Sequence, residues 1–95
     1  MVEMTRVLVA YDISDDRKRL RVAEWLLAKG FSRIQRSLYV ARGGVALARD
    51  VKRFVERSID PETDVVHILV LSDIEWSKRI VVGTSDADRD AIHIA

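Results

Sequence analysis

"VLVAYDISDDRKRLR", residues 7–21, changes its chemistry half-way along. With Arg6 leading in, Val7 to Tyr11 form a continuous apolar run rich in β-branched side chains, the pattern of an interior strand covered on both faces. The run stops at Asp12, and a helix signal follows at once. Ser14 is placed to cap that helix, and Asp15 and Asp16 fall in its first turn, against the positive end of the dipole. Val22, Ala23, Leu26 and Leu27 then share one face up to about Lys29, where Gly30 supplies the left-handed residue that ends a helix. A strand over 6–11 and a helix to about 29 are therefore expected, with a carboxylate between them and arginines just behind it.

The same patterning organises the rest of the chain. Phe31–Ala41 has strand composition and is followed by Gly43-Gly44; it predicts one long bent strand or two short strands joined near Gln35-Arg36. Val45–Ile59 predicts a second amphipathic helix, with Leu47, Val51, Phe54, Val55 and Ser58 on one face, stopped by Asp60-Pro61. Asp64–Leu71 is apolar on both alternating sets and reads as a central strand that Ser72-Asp73 ends. A last short strand is expected at Arg79–Val82, and residues 85–95 form an acidic, weakly patterned tail. Strand, helix, strand or strands, helix, strand over residues 1–84 predicts an α+β fold, a ferredoxin-like βαββαβ sandwich.

Composition narrows the chemistry. Ninety-five residues at 48% hydrophobic content suit one domain with a small core, for which dimerisation is a natural support. Without cysteine there is no disulfide or thiolate metal site, and with only two histidines, His67 and His93, a metal would rest mainly on oxygen ligands. Met1-Val2-Glu3-Met4 lacks a basic region followed by an apolar segment, and no apolar run approaches the roughly 20 residues of a membrane span; a soluble, cytoplasmic protein is expected, with no membrane partner. The net charge is +1, but residues 1–49 hold ten Arg/Lys against five Asp/Glu, or +5, and residues 50–95 hold six against ten, or −4. Twelve of the sixteen basic residues are arginine, whose planar fork matches phosphate oxygens.

Several chemistries find no support. Gly43-Gly44 has no lysine after it and reads as a turn, not as a phosphate loop. Tyr11 and Tyr39 are too few for a base-stacking sheet, and His67, in mid-strand, is more often a hydrogen-bonded structural histidine than a ligand. Asp12 is different. At the C-terminal end of a first strand its carboxylate can reach a hard divalent cation that keeps several waters, and two-fold association would bring two copies together. Against this stands the reading of Asp12 as a plain turn residue.

The segment "LVAYDISDDRKRLRVAEWLLAKGFSRIQRSLYV", with "RIVVG" at Arg79–Gly83, resembles the CRISPR-associated protein 2 family of small adaptation-stage nucleases. The resemblance implies a homodimer of ferredoxin-like domains in which Arg79–Val82 pairs with the sheet of the other subunit. It implies that both copies of Asp12 hold one Mg²⁺ or Mn²⁺ ion for phosphodiester hydrolysis of single-stranded RNA or double-stranded DNA. Arg19, Arg21 and Arg33 correspond to family arginines that position substrate, and Tyr39 to the aromatic that closes the "RIQ" segment, counted with the substrate-binding residues although its ring suits packing better than catalysis. Arg36 stands where many relatives carry an aromatic and adds a phosphate-binding candidate; Ser14 is a candidate second donor beside the ion. The family also implies a reading without cleavage, as a dimeric scaffold for the CRISPR integrase, CRISPR-associated protein 1. A toxin-like messenger-RNA ribonuclease on the same scaffold is a third reading.

Overall fold

The structure is a computed structural model and describes residues 4–84, so the expected tail at 85–95, with His93, lies outside the described residues. The strand at the head of the chain is β1, Thr5–Asp12; it is followed by α1 (Asp16–Ala28), β2 (Ser32–Gln35), β3 (Leu38–Arg42), α2 (Val45–Ser58), β4 (Val65–Ser72) and a short α3 (Asp73–Ser77). The four strands form one antiparallel sheet in the order β2-β3-β1-β4. β1 pairs on both edges, with Val9 opposite Tyr39 of β3 and Ile68 of β4.

Alternation along β1 sorts the two faces. Val7, Val9 and Tyr11 point to the helices and are buried, and with Tyr39, Ala41, Val22, Leu26, Val51 and Val55 they make the core. Leu8, Ala10 and Asp12 occupy the other face, which neither α1 nor α2 covers; Trp76 of the short α3 reaches its Leu8–Val40–Leu71 end. The residues that flank Leu8 there, Val40 and Leu69, are apolar as well.

Helix ends follow local chemistry. Asp15, not Ser14, caps α1: its carboxylate accepts the Lys18 N–H at 2.9 Å, because the chain is still extended at position 15 (φ −81°, ψ 126°). At the other end Gly30 takes φ 94°, Phe31 N–H donates to Leu26 O at 3.0 Å and Gly30 N–H to Leu27 O at 3.1 Å, a Schellman closure that drops Phe31 into the core beside Leu26. Phe31–Ala41 resolves into two strands joined by a turn at Arg36-Ser37, with a bulge between Arg33 and Gln35. In α2 the buried Ser58 hydroxyl is satisfied by donating to Phe54 O at 2.7 Å.

Two expectations about the strands need correction, and one helix was not expected. β4 is an edge strand: β1 takes its inner edge, and no strand pairs with its outer edge among the described residues. Its apolar character on both sets reflects an uncovered apolar face; Val65 and Leu69 stay 46% and 42% exposed. The short helix α3 was not expected; Ser72 and Glu75 form a reciprocal capping box that starts it. Arg79–Val82 is in no strand: it pairs with neither β2 nor β4, whose outer edges take no strand among the described residues. Instead it borders a groove of about 510 Å³ on the sheet face turned away from α1 and α2, where Leu8, Leu38, Val40, Leu71, Trp76 and Ile80 meet. The Trp76 ring, with the Arg79 guanidinium 3.9 Å above it, holds the start of this segment. None of the described helices is long and apolar enough to cross a membrane.

Leu26 is fully buried at the closure of α1. Leu26→Ala is expected to lower the unfolding free energy by about 3 kcal/mol in urea melts at fixed protein concentration. A loss below about 1 kcal/mol would contradict its place in the core.

Candidate functional site

At one end of the sheet four connections converge: the end of β1, the start of α1, the β2–β3 turn and the loop that enters β4. Strand alternation puts Asp12 on the face turned away from α1 and α2, exposed, at the last rung of the β1–β4 ladder opposite Val65. The next residue, Ile13, turns back into the core at 2% exposure and so fixes where the chain leaves the sheet. Tyr11 N–H donates to Ser37 O at 3.1 Å, which brings the β2–β3 turn, and with it Arg36, to the same end.

Each arginine has its own setting. Arg19 reaches back along α1: its Nη1 donates to Ile13 O at 3.0 Å and its Nη2 pairs with Asp16, while its side chain stays 41% exposed. It ties helix to loop and still presents charge. Arg21 is exposed two residues further on, about 200° around the helix from Arg19. Arg33 is exposed on β2, beside the two tyrosines. Arg36 is exposed at the tip of the turn.

Tyr11 and Tyr39 stack with centroids 5.8 Å apart. Burial, then the hydrogen bond with the Tyr39 hydroxyl, push the Tyr11 phenol well above the ordinary tyrosine value, against the lowering charges of Arg19 and Arg33. The Tyr11 phenol therefore stays neutral. Tyr39 is only 1% exposed, so the ring expected among the substrate-binding residues packs inside the core, because β3 alternation turns it toward the helices. His67 lies on the face turned away from α1 and α2, exposed and without a hydrogen bond among the described residues, in contrast to the structural histidine expected.

Asp64 is the residue that sequence reasoning missed. Its Oδ1 accepts the Ser14 N–H at 3.1 Å and the Thr63 hydroxyl at 3.1 Å, and its Oδ2 accepts the Asp60 N–H at 2.9 Å. Those bonds, Asp60 first and Ser14 second, hold its carboxyl below the usual aspartate range. The local signal was "DPETD", residues 60–64, a turn in which Asp60 Oδ1 also accepts the Glu62 N–H at 2.9 Å. Its reach to Ser14, fifty residues away, left no mark in the pattern.

Among the described residues no group of three or more His, Asp or Glu side chains could hold a metal. Asp12 alone is half of a suitable donor set: Mg²⁺ keeps several waters and needs only one or two carboxylates beside phosphate oxygens. One chain therefore offers one exposed carboxylate at the end of β1.

The family model described as CRISPR associated protein Cas2 matches residues 4–79, nearly all of the described chain. The chain belongs to the Cas2 family. A CRISPR-associated endoribonuclease Cas2 from Aeropyrum pernix is 40% identical over 91 residues, covering 83% of this chain and 99% of that protein. A CRISPR-associated endonuclease Cas1/endonuclease Cas2 fusion from Thermoproteus tenax is 42% identical over 53 residues, covering 56% of this chain and 20% of the fusion. Among solved structures, Streptococcus pyogenes Cas2 at pH 6.5 superposes with a TM-score of 0.67 at 28% identity, covering 82% of this chain and 99% of that one. Membership in the Cas2 family accords with the ferredoxin-like order of the strands.

The depressed Asp64 carboxyl makes a signed prediction. Its hydrogen bonds stabilise the folded state fully above the unfolded aspartate value of about 3.9 and are lost as pH falls through the lower folded value. The melting-temperature difference between wild type and Asp64→Asn is expected to be constant from about pH 5 to 8 and to shrink below about pH 4. A difference that grows on acidification would contradict the assignment.

Proposed function

We propose that this Cas2-family chain acts as a two-fold dimer that hydrolyses phosphodiester bonds, with one Mg²⁺ or Mn²⁺ ion between two Asp12 carboxylates. The observation that carries the reading is the sheet face turned away from α1 and α2, apolar at Leu8, Val40 and Leu69 with Asp12 at its end. An antiparallel sheet with one side in water normally shows polar residues there. A second copy of the same face covers it isologously, so whatever lies near the axis is duplicated, Asp12 included. The same association gives Arg79–Val82 a strand edge to pair with; Ile80 and Val82, 89% and 95% exposed, would gain cover.

The ion, when bound, supplies Lewis-acid polarisation of the phosphate and a more acidic bound water. The chain's own groups do the rest. Asp12 supplies the anionic oxygens, and Arg19, Arg21, Arg33 and Arg36 present guanidinium forks to phosphate oxygens and offset the charge that grows in the transition state. Ser14 stands beside Asp12 as a hydroxyl donor, and Tyr39, stacked on Tyr11, keeps the strand end rigid. Single-stranded RNA is the first substrate to try, since the Aeropyrum relative is named an endoribonuclease; double-stranded DNA is the second.

A second reading has its own support in the Thermoproteus fusion, in which a Cas1 and a Cas2 are one polypeptide. In that reading the dimer scaffolds the CRISPR integrase, and its arginines hold a nucleic-acid backbone without cutting it. Such binding is nearly independent of sequence and weakens with salt.

Incubating the protein with RNA and DNA, with Mg²⁺, Mn²⁺ or chelator, tests the first reading. Asp12→Ala is expected to lower metal-dependent cleavage by about 100-fold or more while the dimer persists in sedimentation. Undiminished cleavage by Asp12→Ala would sink the enzyme reading. The scaffold reading expects Asp12→Ala to keep its DNA affinity and integrase assembly, while Arg21→Glu and Arg36→Glu weaken binding and each reduce the salt slope by about one.

A further inference from the structure

We infer that Asp64 is a positioning residue for Asp12, holding the strand end at the height where two copies can share one ion; this rests on the Asp12 reading above. The β1–β4 ladder stops at Asp12 and Val65. Beyond that rung the chains leave the sheet as Ile13-Ser14 and arrive as Thr63-Asp64, with no backbone pairing to hold them together. The Asp64 side chain takes over that task. One oxygen accepts the Ser14 N–H at 3.1 Å, two residues past Asp12, and the other accepts the Asp60 N–H at 2.9 Å. A single carboxylate thus joins the exit of β1, the N-terminal approach to α1 and the loop that enters β4. Ile13, buried at 2% exposure, and the Arg19 guanidinium on its carbonyl at 3.0 Å hold the loop from the core side, and Asp64 holds it from the β4 side.

Symmetry sets how much this matters. At a two-fold axis a displacement of Asp12 in one copy is repeated in the other, so the gap between the two carboxylates changes by up to twice the displacement. Sites of this kind tolerate only about 0.5 Å of misplacement. Asp64 is only half-buried, so its hydrogen bonds add a modest share of global stability. Loss of Asp64 should therefore be felt in ion binding well before it is felt in folding, which a merely structural residue would not do.

The measurement is Mn²⁺ binding to the full chain, followed by electron paramagnetic resonance of the free ion, for wild type, Asp12→Ala, Asp64→Ala and Asp64→Asn. Asp73→Ala is the control, since it breaks the Arg6 and Arg42 ion pairs at the other end of the sheet, 3.2 and 3.0 Å in length. All are compared well below their melting transitions. Asp64→Ala is expected to weaken Mn²⁺ binding about 10-fold, Asp64→Asn less because its amide oxygen still accepts the Ser14 N–H, and Asp73→Ala not at all. If Asp12→Ala loses Mn²⁺ while Asp64→Ala binds within about 2-fold of wild type, this inference falls alone. An Asp73→Ala change as large as that of Asp64→Ala also overturns it, because the effect would then be general destabilisation. Wild type without Mn²⁺ binding, or Asp12→Ala binding as tightly as wild type, overturns the Asp12 reading and this inference with it.

Discussion

Everything in this molecule is referred to β1. It is hydrogen-bonded on both edges, to β3 and β4, and its alternate residues Val7, Val9 and Tyr11 form the floor on which both helices pack. A strand so held cannot slip by one residue without turning its whole apolar set to the wrong face. Hence the position of Asp12 is a consequence of core packing: with Tyr11 committed to the helix side and Ile13 drawn back into the core, the residue between them must stand at the rim on the open face.

Two kinds of force then shape the site. Inside, the Tyr11–Tyr39 stack and the neutral Tyr11 phenol close the end of the sheet. Outside, three of the hydrogen bonds that shape the loop involve a formal charge: Arg19 on Ile13 O, Asp15 on the Lys18 N–H, Asp64 on the Ser14 N–H. Such bonds are stronger than neutral ones and directional, so they can hold a loop in shape with little burial. The loop is thereby ordered while Asp12 itself remains open to solvent.

The open sheet face and the single carboxylate are one problem with one physical solution. A face this apolar is unfavourable in water, and a lone aspartate is a poor ligand for a divalent ion. The two-fold pairing proposed for this chain would relieve both at once, since the surface that covers the apolar face would carry the second carboxylate with it. On that proposal function belongs to the pair, and the chain supplies a half-site.

Much of the fold was legible in the residues. Periodicity placed both helices within about two residues, Gly30 and Asp60-Pro61 ended them, and the apolar runs at 6–11 and 64–71 became strands. Asp12 at the strand end and the arginines behind it could be named for the same reason: local pattern records which side chains must be buried and which must not. What local pattern does not record is the identity of the neighbour. It could not tell that β4 lies at an edge, that Tyr39 turns inward, that Asp15 rather than Ser14 caps α1, or that Asp64 ties a loop fifty residues away. Those were settled by the tertiary structure, because strand order, the side on which a ring lands and a long-range hydrogen bond depend on which segments meet in space, and hydrophobic periodicity is blind to the partner that satisfies it.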